Sequence, residues 1–115
     1  MPRTRVVILA SPSLFVEGVA SRLRRPEAQA DVVTVNPHDA DAIERTMAAE
    51  PNAVILDAAD PARPGDGIWP QLLRSLPGVR ILDIDSQTQR VRVITSEEHS
   101  AFEVKDLIDV LSPRS

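Results

Sequence analysis

The chain contains no cysteine, so it can form neither a disulfide nor a thiolate metal site. Only Phe15, Trp69 and Phe102 are aromatic, too few for a stacking platform that binds single-stranded nucleic acid. Lys105 is the only lysine, and the net charge of −4 argues against a protein that binds by neutralising nucleic-acid phosphates. These absences exclude redox chemistry at thiols and make nucleic acid a poor candidate partner.

No apolar stretch approaches the ~20 residues that cross a bilayer, and the first residues do not resemble a signal peptide. We therefore expect a cytoplasmic protein that does not bind membranes. Glycine-rich phosphate loops and the nucleophile elbow of hydrolases are missing. His38 and His99 lack metal-ligand spacing, and we expect both at the surface. The sequence thus predicts no enzyme, with no catalytic residue, no resident metal and no cofactor.

What is present has the composition of one globular domain over residues 1–115, with 43% hydrophobic and 26% charged residues. Short apolar runs alternate with segments of helical periodicity. The runs predict strands at residues 5–10, 31–35, 52–57 and 79–84, with a helix after each of the first three. This βαβαβαβ order predicts an α/β fold, a parallel sheet with helices on both faces.

The alternation breaks after the fourth strand. Residues 91–94 predict a fifth strand, and only residues 85–90 separate it from the fourth. A parallel crossover needs about a dozen residues. Strands four and five should therefore form an antiparallel hairpin, at whose edge the charged Asp83, Arg90 and Arg92 would block further pairing. Residues 100–103 have capping-box spacing and predict the start of a final helix, whose apolar stripe is Val104, Leu107, Ile108 and Leu111.

In an open parallel sheet, functional residues lie beyond the carboxyl ends of the strands. The residues at the predicted strand ends are Ala10, Ser11, Pro12, Ser13, Asp57, Asp60, Asp85, Ser86, Thr95 and Ser96. Asp57 could be a covalent phosphate acceptor or a magnesium ligand, or it could simply cap the following turn. Asp60, Asp66, Asp83 and Asp85 could enlarge an acidic cluster, although we expect Asp60 and Asp66 to be ordinary surface residues.

Three segments together resemble the receiver domains of two-component response regulators, in particular the subfamily with helix-turn-helix output domains. They are residues 8–18 (ILASPSLFVEG), residues 55–67 (ILDAADPARPGDG) and residues 77–82 (PGVRIL). The resemblance implies a three-layer, flavodoxin-like sheet of strand order 2-1-3-4-5. The family's fourth helix is missing from this prediction, because residues 85–90 are too few to form it.

The departures from the receiver pattern fall on the phosphorylation machinery. Ala10 and Ser11 occupy the positions of the acidic pair that holds magnesium in receivers. Asp85 replaces the family's Ser or Thr, and Thr95 begins a segment without the family's lysine. Only Asp57, at the phosphoacceptor position, is retained. The resemblance therefore implies a degenerate receiver, or pseudo-receiver.

Two functional hypotheses follow. The first is a phosphorylation-independent protein-interaction module in signalling. We expect no output domain after Ser115, so the module would act on a separate protein partner. Loss of the fourth helix would expose Leu82, Ile84, Val91 and Val93, and a symmetric homodimer would bury them. Alternatively, the final helix covers the hairpin within a monomer.

The second hypothesis is a switch still phosphorylated at Asp57, with Asp60 or Asp85 supplying substitute ligands for magnesium. A sensor that binds a small molecule at the strand ends is a third possibility, but no residue pattern specifies its ligand.

Overall fold

The computed structural model describes residues 3–62, 68–85, 87–95 and 99–103, and these form one mixed α/β sheet structure. The elements are β1 Thr4–Leu9, α1 Leu14–Leu23, β2 Ala30–Val35, α2 Ala42–Ala48, β3 Ala53–Asp57, α3 Ile68–Ser75, β4 Arg80–Asp85, β5 Arg90–Ile94 and β6 His99–Glu103. Strands β1 to β4 pair in parallel, and β5 and β6 are antiparallel additions. The sheet order β2-β1-β3-β4-β5-β6 contains the predicted order 2-1-3-4-5.

The pleat of the strands divides the core between the two faces of the sheet. Along β3, Ala53 and Ile55 pack in the cluster that contains α1, whereas Val54 and Leu56 pack in the cluster that contains α2 and α3. All four side chains are at most 1% exposed, which explains why this strand is apolar on both faces. None of the described helices combines the length and the apolar character needed to span a membrane.

Local signals set the ends of α1 and α3. Ser13 caps α1, because its Oγ accepts a hydrogen bond from the Val16 N–H at 3.1 Å; Ser13 is one of the two serines that could have done so. After α3, Gly78 adopts a φ of +81°, a backbone conformation that favours glycine. The chain can therefore turn sharply into β4.

The predicted hairpin is confirmed. β4 and β5 pair antiparallel over five residue pairs, from Ile81 with Ile94 to Asp85 with Arg90. Only residues 86–89 lie between the two strands, too few for a helical crossover.

The predicted start of a final helix is wrong. His99–Glu103 forms strand β6, which pairs antiparallel with β5 from Ile94–His99 to Arg90–Glu103. A capping box stabilises a helix by only a few interactions at its first turn, whereas strand pairing satisfies the backbone groups along a whole edge of β5. The stripe Val104, Leu107, Ile108 and Leu111 lies outside the described residues, as do Asp66, Ser86 and Ser96.

The expectation of an exposed apolar face on the hairpin is also wrong. Leu82, Ile84 and Val91 are 0% exposed and Val93 is 6% exposed within the single chain. They belong to the cluster that contains α1. The missing fourth helix would not have covered these four residues. A right-handed crossover from β4 to β5 places its helix on the same side of the sheet as α3, because α3 connects β3 to β4 in the same direction.

On that α3 side, the hairpin carries charges beyond Ile81 and Ile94. Asp83, 7% exposed, accepts a hydrogen bond from Arg92 at 3.0 Å, and Asp85 lies opposite Arg90. The expectation that these charges prevent a further strand from pairing with the hairpin is wrong, since β6 pairs with the outer edge of β5. They make this part of the α3 side of the sheet polar.

Candidate functional site

The loop after β1 and the loop after β3 are joined by a single carboxylate. Asp60 Oδ2 accepts the Ser11 N–H at 2.7 Å, and Oδ1 accepts the Ser11 hydroxyl at 3.1 Å. Oδ1 also accepts the Ala62 N–H at 2.9 Å. β1 and β3 are neighbours in the sheet, so their carboxyl ends place the two loops side by side. Both oxygens of Asp60 are therefore occupied in closing the site.

The surroundings of Asp60 favour its charged form. Partial burial alone would raise the pKa of the carboxyl, but the hydrogen bonds from the Ser11 N–H, the Ala62 N–H and the Ser11 hydroxyl outweigh that effect. The charge of His38 acts in the same direction. The pKa of Asp60 is consequently lowered from its ordinary value of 3.8. His38 is exposed, as predicted, yet it lies near enough to influence this carboxylate.

Asp57 is the last residue of β3, half-buried at the edge of the same site. Its Oδ1 accepts the Ala59 N–H at 2.9 Å, and its carbonyl accepts the Asp60 N–H at 3.1 Å. This is the turn-capping role that we considered for a strand-end aspartate. Asp57 and Asp60 therefore lie at the two ends of one tight turn.

Asp85 does not join this site. Its Oδ1 accepts the Gln87 N–H at 2.9 Å and the Thr88 N–H at 3.4 Å, so it caps the hairpin turn. Ile84 is the residue paired with Asp57, and the next residue along a strand projects from the opposite face. Asp85 and Asp57 consequently belong to different faces of the sheet.

Thr95 was expected beside Asp57, at the carboxyl ends of the parallel strands. That expectation is wrong, because Thr95 follows β5 near the amino ends of these strands. Because β5 is antiparallel, its last residue Ile94 pairs with Ile81, near the start of β4. Ile81 is about 13 Å along the strand from Asp85. A residue after β5 can meet the ends of β1 and β3 only if β5 is parallel.

The residues at the end of β1 do not fit a magnesium ion. Ala10 is aliphatic and 4% exposed, and Ser11 donates to Asp60 rather than offering a free anionic oxygen. Magnesium sites of this kind need carboxylate oxygens. Within the described part of the chain, no group of three or more His, Asp or Glu side chains is arranged to hold a metal.

Asp60 is the residue that sequence reasoning undervalued. We expected an ordinary surface carboxylate, whereas it connects two loops. The available signal was topological: in the order 2-1-3-4-5, strands one and three are neighbours, so an aspartate shortly after one can reach the amide that follows the other.

A cleft of about 720 Å³ opens beside α1 and the edge strand β2. It is lined by Ala10 but by none of Ser11, Asp57 and Asp60. Charged side chains of both signs border it, including Glu17, Arg24, Arg25 and the ion pair of Asp39 with Arg45 at 3.0 Å. The cleft is thus separate from the Ser11–Asp60 contact.

No family model matches the chain, and neither a curated protein nor a solved structure is significantly similar to it.

Proposed function

We propose that this chain is a non-catalytic, receiver-like module of the cytoplasm with a flavodoxin-like fold, which acts by binding protein and does so independently of phosphorylation. The observation that carries the proposal is the hydrogen bonding of Asp60 to Ser11 across the two loops. In a receiver, residues of these two loops bind magnesium and carry the phosphoryl group. Here a side chain of the protein itself supplies the anion that joins them.

The charges at the site support the same proposal. Transfer of a phosphoryl group to Asp57 would bring additional negative charge next to Asp60, which hydrogen bonding keeps ionised. The nearest residues at the end of β1 provide no carboxylate to hold a neutralising cation. Phosphorylation of this site is therefore electrostatically unfavourable.

The alternative is a switch phosphorylated at Asp57 with Asp60 or Asp85 as a magnesium ligand, and it requires whichever of these two aspartates binds the metal to change partners. Asp60 would give up hydrogen bonds on both oxygens, and Asp85 would release the hairpin turn.

The proposal is tested by incubating the full chain with acetyl phosphate and magnesium and measuring its intact mass. We expect no covalent phosphoryl group on the natural chain or on the Asp57→Ala variant. A mass increase of one phosphoryl group on the natural chain that disappears in Asp57→Ala, but persists in Asp85→Ala, would overturn the proposal. Asp85→Ala is the matched control because it removes an aspartate at a neighbouring strand end.

A further inference from the structure

Strand β2 forms one edge of the sheet, and part of its backbone bonds to none of the residues that the structure describes. Thr4 N–H bonds to the Gln29 carbonyl at 3.0 Å, and Ala10 N–H bonds to the Val35 carbonyl at 3.1 Å. Odd-numbered residues therefore direct their backbone groups to β1, and the intervening even-numbered residues direct theirs away from it. Among the described residues, none bonds to the outward N–H and C=O groups of Val32 and Thr34.

The two ends of this edge are already occupied. At one end, Arg3 donates to the Ala30 carbonyl at 2.8 Å and pairs with Asp31 at 2.7 Å. At the other end, the Asn36 carbonyl accepts the Asp39 N–H at 3.0 Å. The open section of the edge is thus limited to residues 32–34.

The open section lacks the features that usually prevent an edge strand from pairing. β2 contains no lysine, proline, glycine or bulge, and its register with β1 is continuous over six residue pairs. Its one charge, Asp31, is held by Arg3. Val33 is one of two large hydrophobic residues exposed among those described, at 47%, and the cleft beside Thr34 leaves the approach open.

These groups are self-complementary about a two-fold axis at Val33. In an antiparallel pair of β2 strands centred there, Val32 faces the partner's Thr34 and Thr34 faces the partner's Val32. Both pairs exchange outward N–H and C=O groups, which gives four hydrogen bonds between protomers. Val33 lies against its symmetry mate, and Asp31 faces Val35 rather than another acid.

We propose that two copies of this chain associate through antiparallel pairing of their β2 edges, with Val33 on the two-fold axis, to form one continuous sheet. This rests on the proposed function in one respect: it gives the interaction module a second copy of itself as its partner. The arrangement buries an exposed valine and satisfies the unpartnered backbone groups without disturbing the Arg3 or Asn36 contacts.

Cysteine crosslinking tests this register directly, because the natural chain has no cysteine. Two Val33 Cα atoms in the proposed pair would be about 4.5 Å apart, within the ~4.4–6.8 Å range of disulfides. We expect Val33→Cys to give a disulfide-linked dimer in high yield under mild oxidation in dilute solution. Leu14→Cys, at a position in α1 that is 88% exposed, is the control and should remain largely uncrosslinked. Equal yields from both variants would overturn the proposal.

Light scattering after size-exclusion chromatography provides the second test. The natural chain should approach twice its mass of 12.6 kDa as concentration rises. Thr34→Pro should remain monomeric, since it removes an outward N–H and no bond to β1, whereas Thr34→Ala should still dimerise. A natural chain that stays monomeric at every concentration overturns the pairing. If that monomer also gains no phosphoryl group from acetyl phosphate, the proposed independence from phosphorylation is retained and only the proposed dimer is wrong.

Discussion

Replacing Asp60 by alanine should destabilise the protein more than replacing Asp57 or Asp85, the aspartates that end β3 and β4. The change removes hydrogen bonds from the Ser11 N–H, the Ser11 hydroxyl and the Ala62 N–H. Hydrogen bonds to a charged group contribute about 1.5–3 kcal/mol each when buried. At a half-buried site, hydrogen bonds from water to the exposed groups compensate for part of this loss. We therefore expect a loss of about 2–3 kcal/mol in the free energy of unfolding. For a chain of this length, that corresponds to roughly 8–12 °C in Tm.

Urea unfolding followed by circular dichroism measures this loss, and Asp57→Ala is the matched control. Among the described residues, the Asp57 side chain accepts one hydrogen bond, from the Ala59 N–H, so its replacement should cost about 1 kcal/mol. If the two variants lose the same stability within error, the reasoning about the Ser11–Asp60 contact is refuted.

The pH dependence of the Asp60→Ala effect has a defined sign. The pKa of Asp60 is lower in the folded state than its ordinary value of 3.8, so ionisation of Asp60 stabilises the fold above that value. The contribution is lost as the pH falls through the folded-state pKa. The difference in unfolding free energy between the natural chain and Asp60→Ala should therefore be largest near neutral pH and shrink below about pH 4.

Three further predictions concern the fold. Leu82→Ala should cost about 2–5 kcal/mol in urea unfolding at every protein concentration, because Leu82 is 0% exposed within one chain; a cost seen only where a dimer forms would contradict this. Arg92→Ala should cost about 1–2 kcal/mol by removing a partner of the nearly buried Asp83, and an Asp83→Ala, Arg92→Ala double-mutant cycle should give a non-zero coupling energy. Gly78→Ala should lower Tm through backbone strain at φ +81°, a loss of about 1 kcal/mol, whereas Gly78→Asn should be milder.

The regular part of the fold could be predicted because its determinants are local. The run Ala53–Asp57 is apolar on both faces, which is typical of a strand covered by helices on both sides. The short segment before Arg90 excluded a crossover helix by length alone. Neither inference depends on knowing which distant residues meet.

The wrong predictions about Thr95 and the hairpin side chains arose because only one consequence of a correctly predicted feature was considered. An antiparallel β5 carries Thr95 away from Asp57, although the same hairpin had been predicted. The pleat that places Leu82 on the α1 side of the sheet also turns Asp83 to the α3 side. Strand β6 could not be predicted, since a capping-box signal over residues 100–103 competes with an edge of β5 that exists only in the folded sheet.

The central claim is that the site at the ends of β1 and β3 is closed by Asp60 and does not respond to a phosphoryl group. The most direct measurement is the amide ¹H–¹⁵N spectrum of the full chain with and without magnesium and beryllofluoride, a phosphoryl mimic. We predict unchanged resonances for Ser11, Ala59 and Ala62, whose amides bond to Asp60 and Asp57. Saturable shifts of these three amides that are abolished by Asp57→Ala would contradict the account.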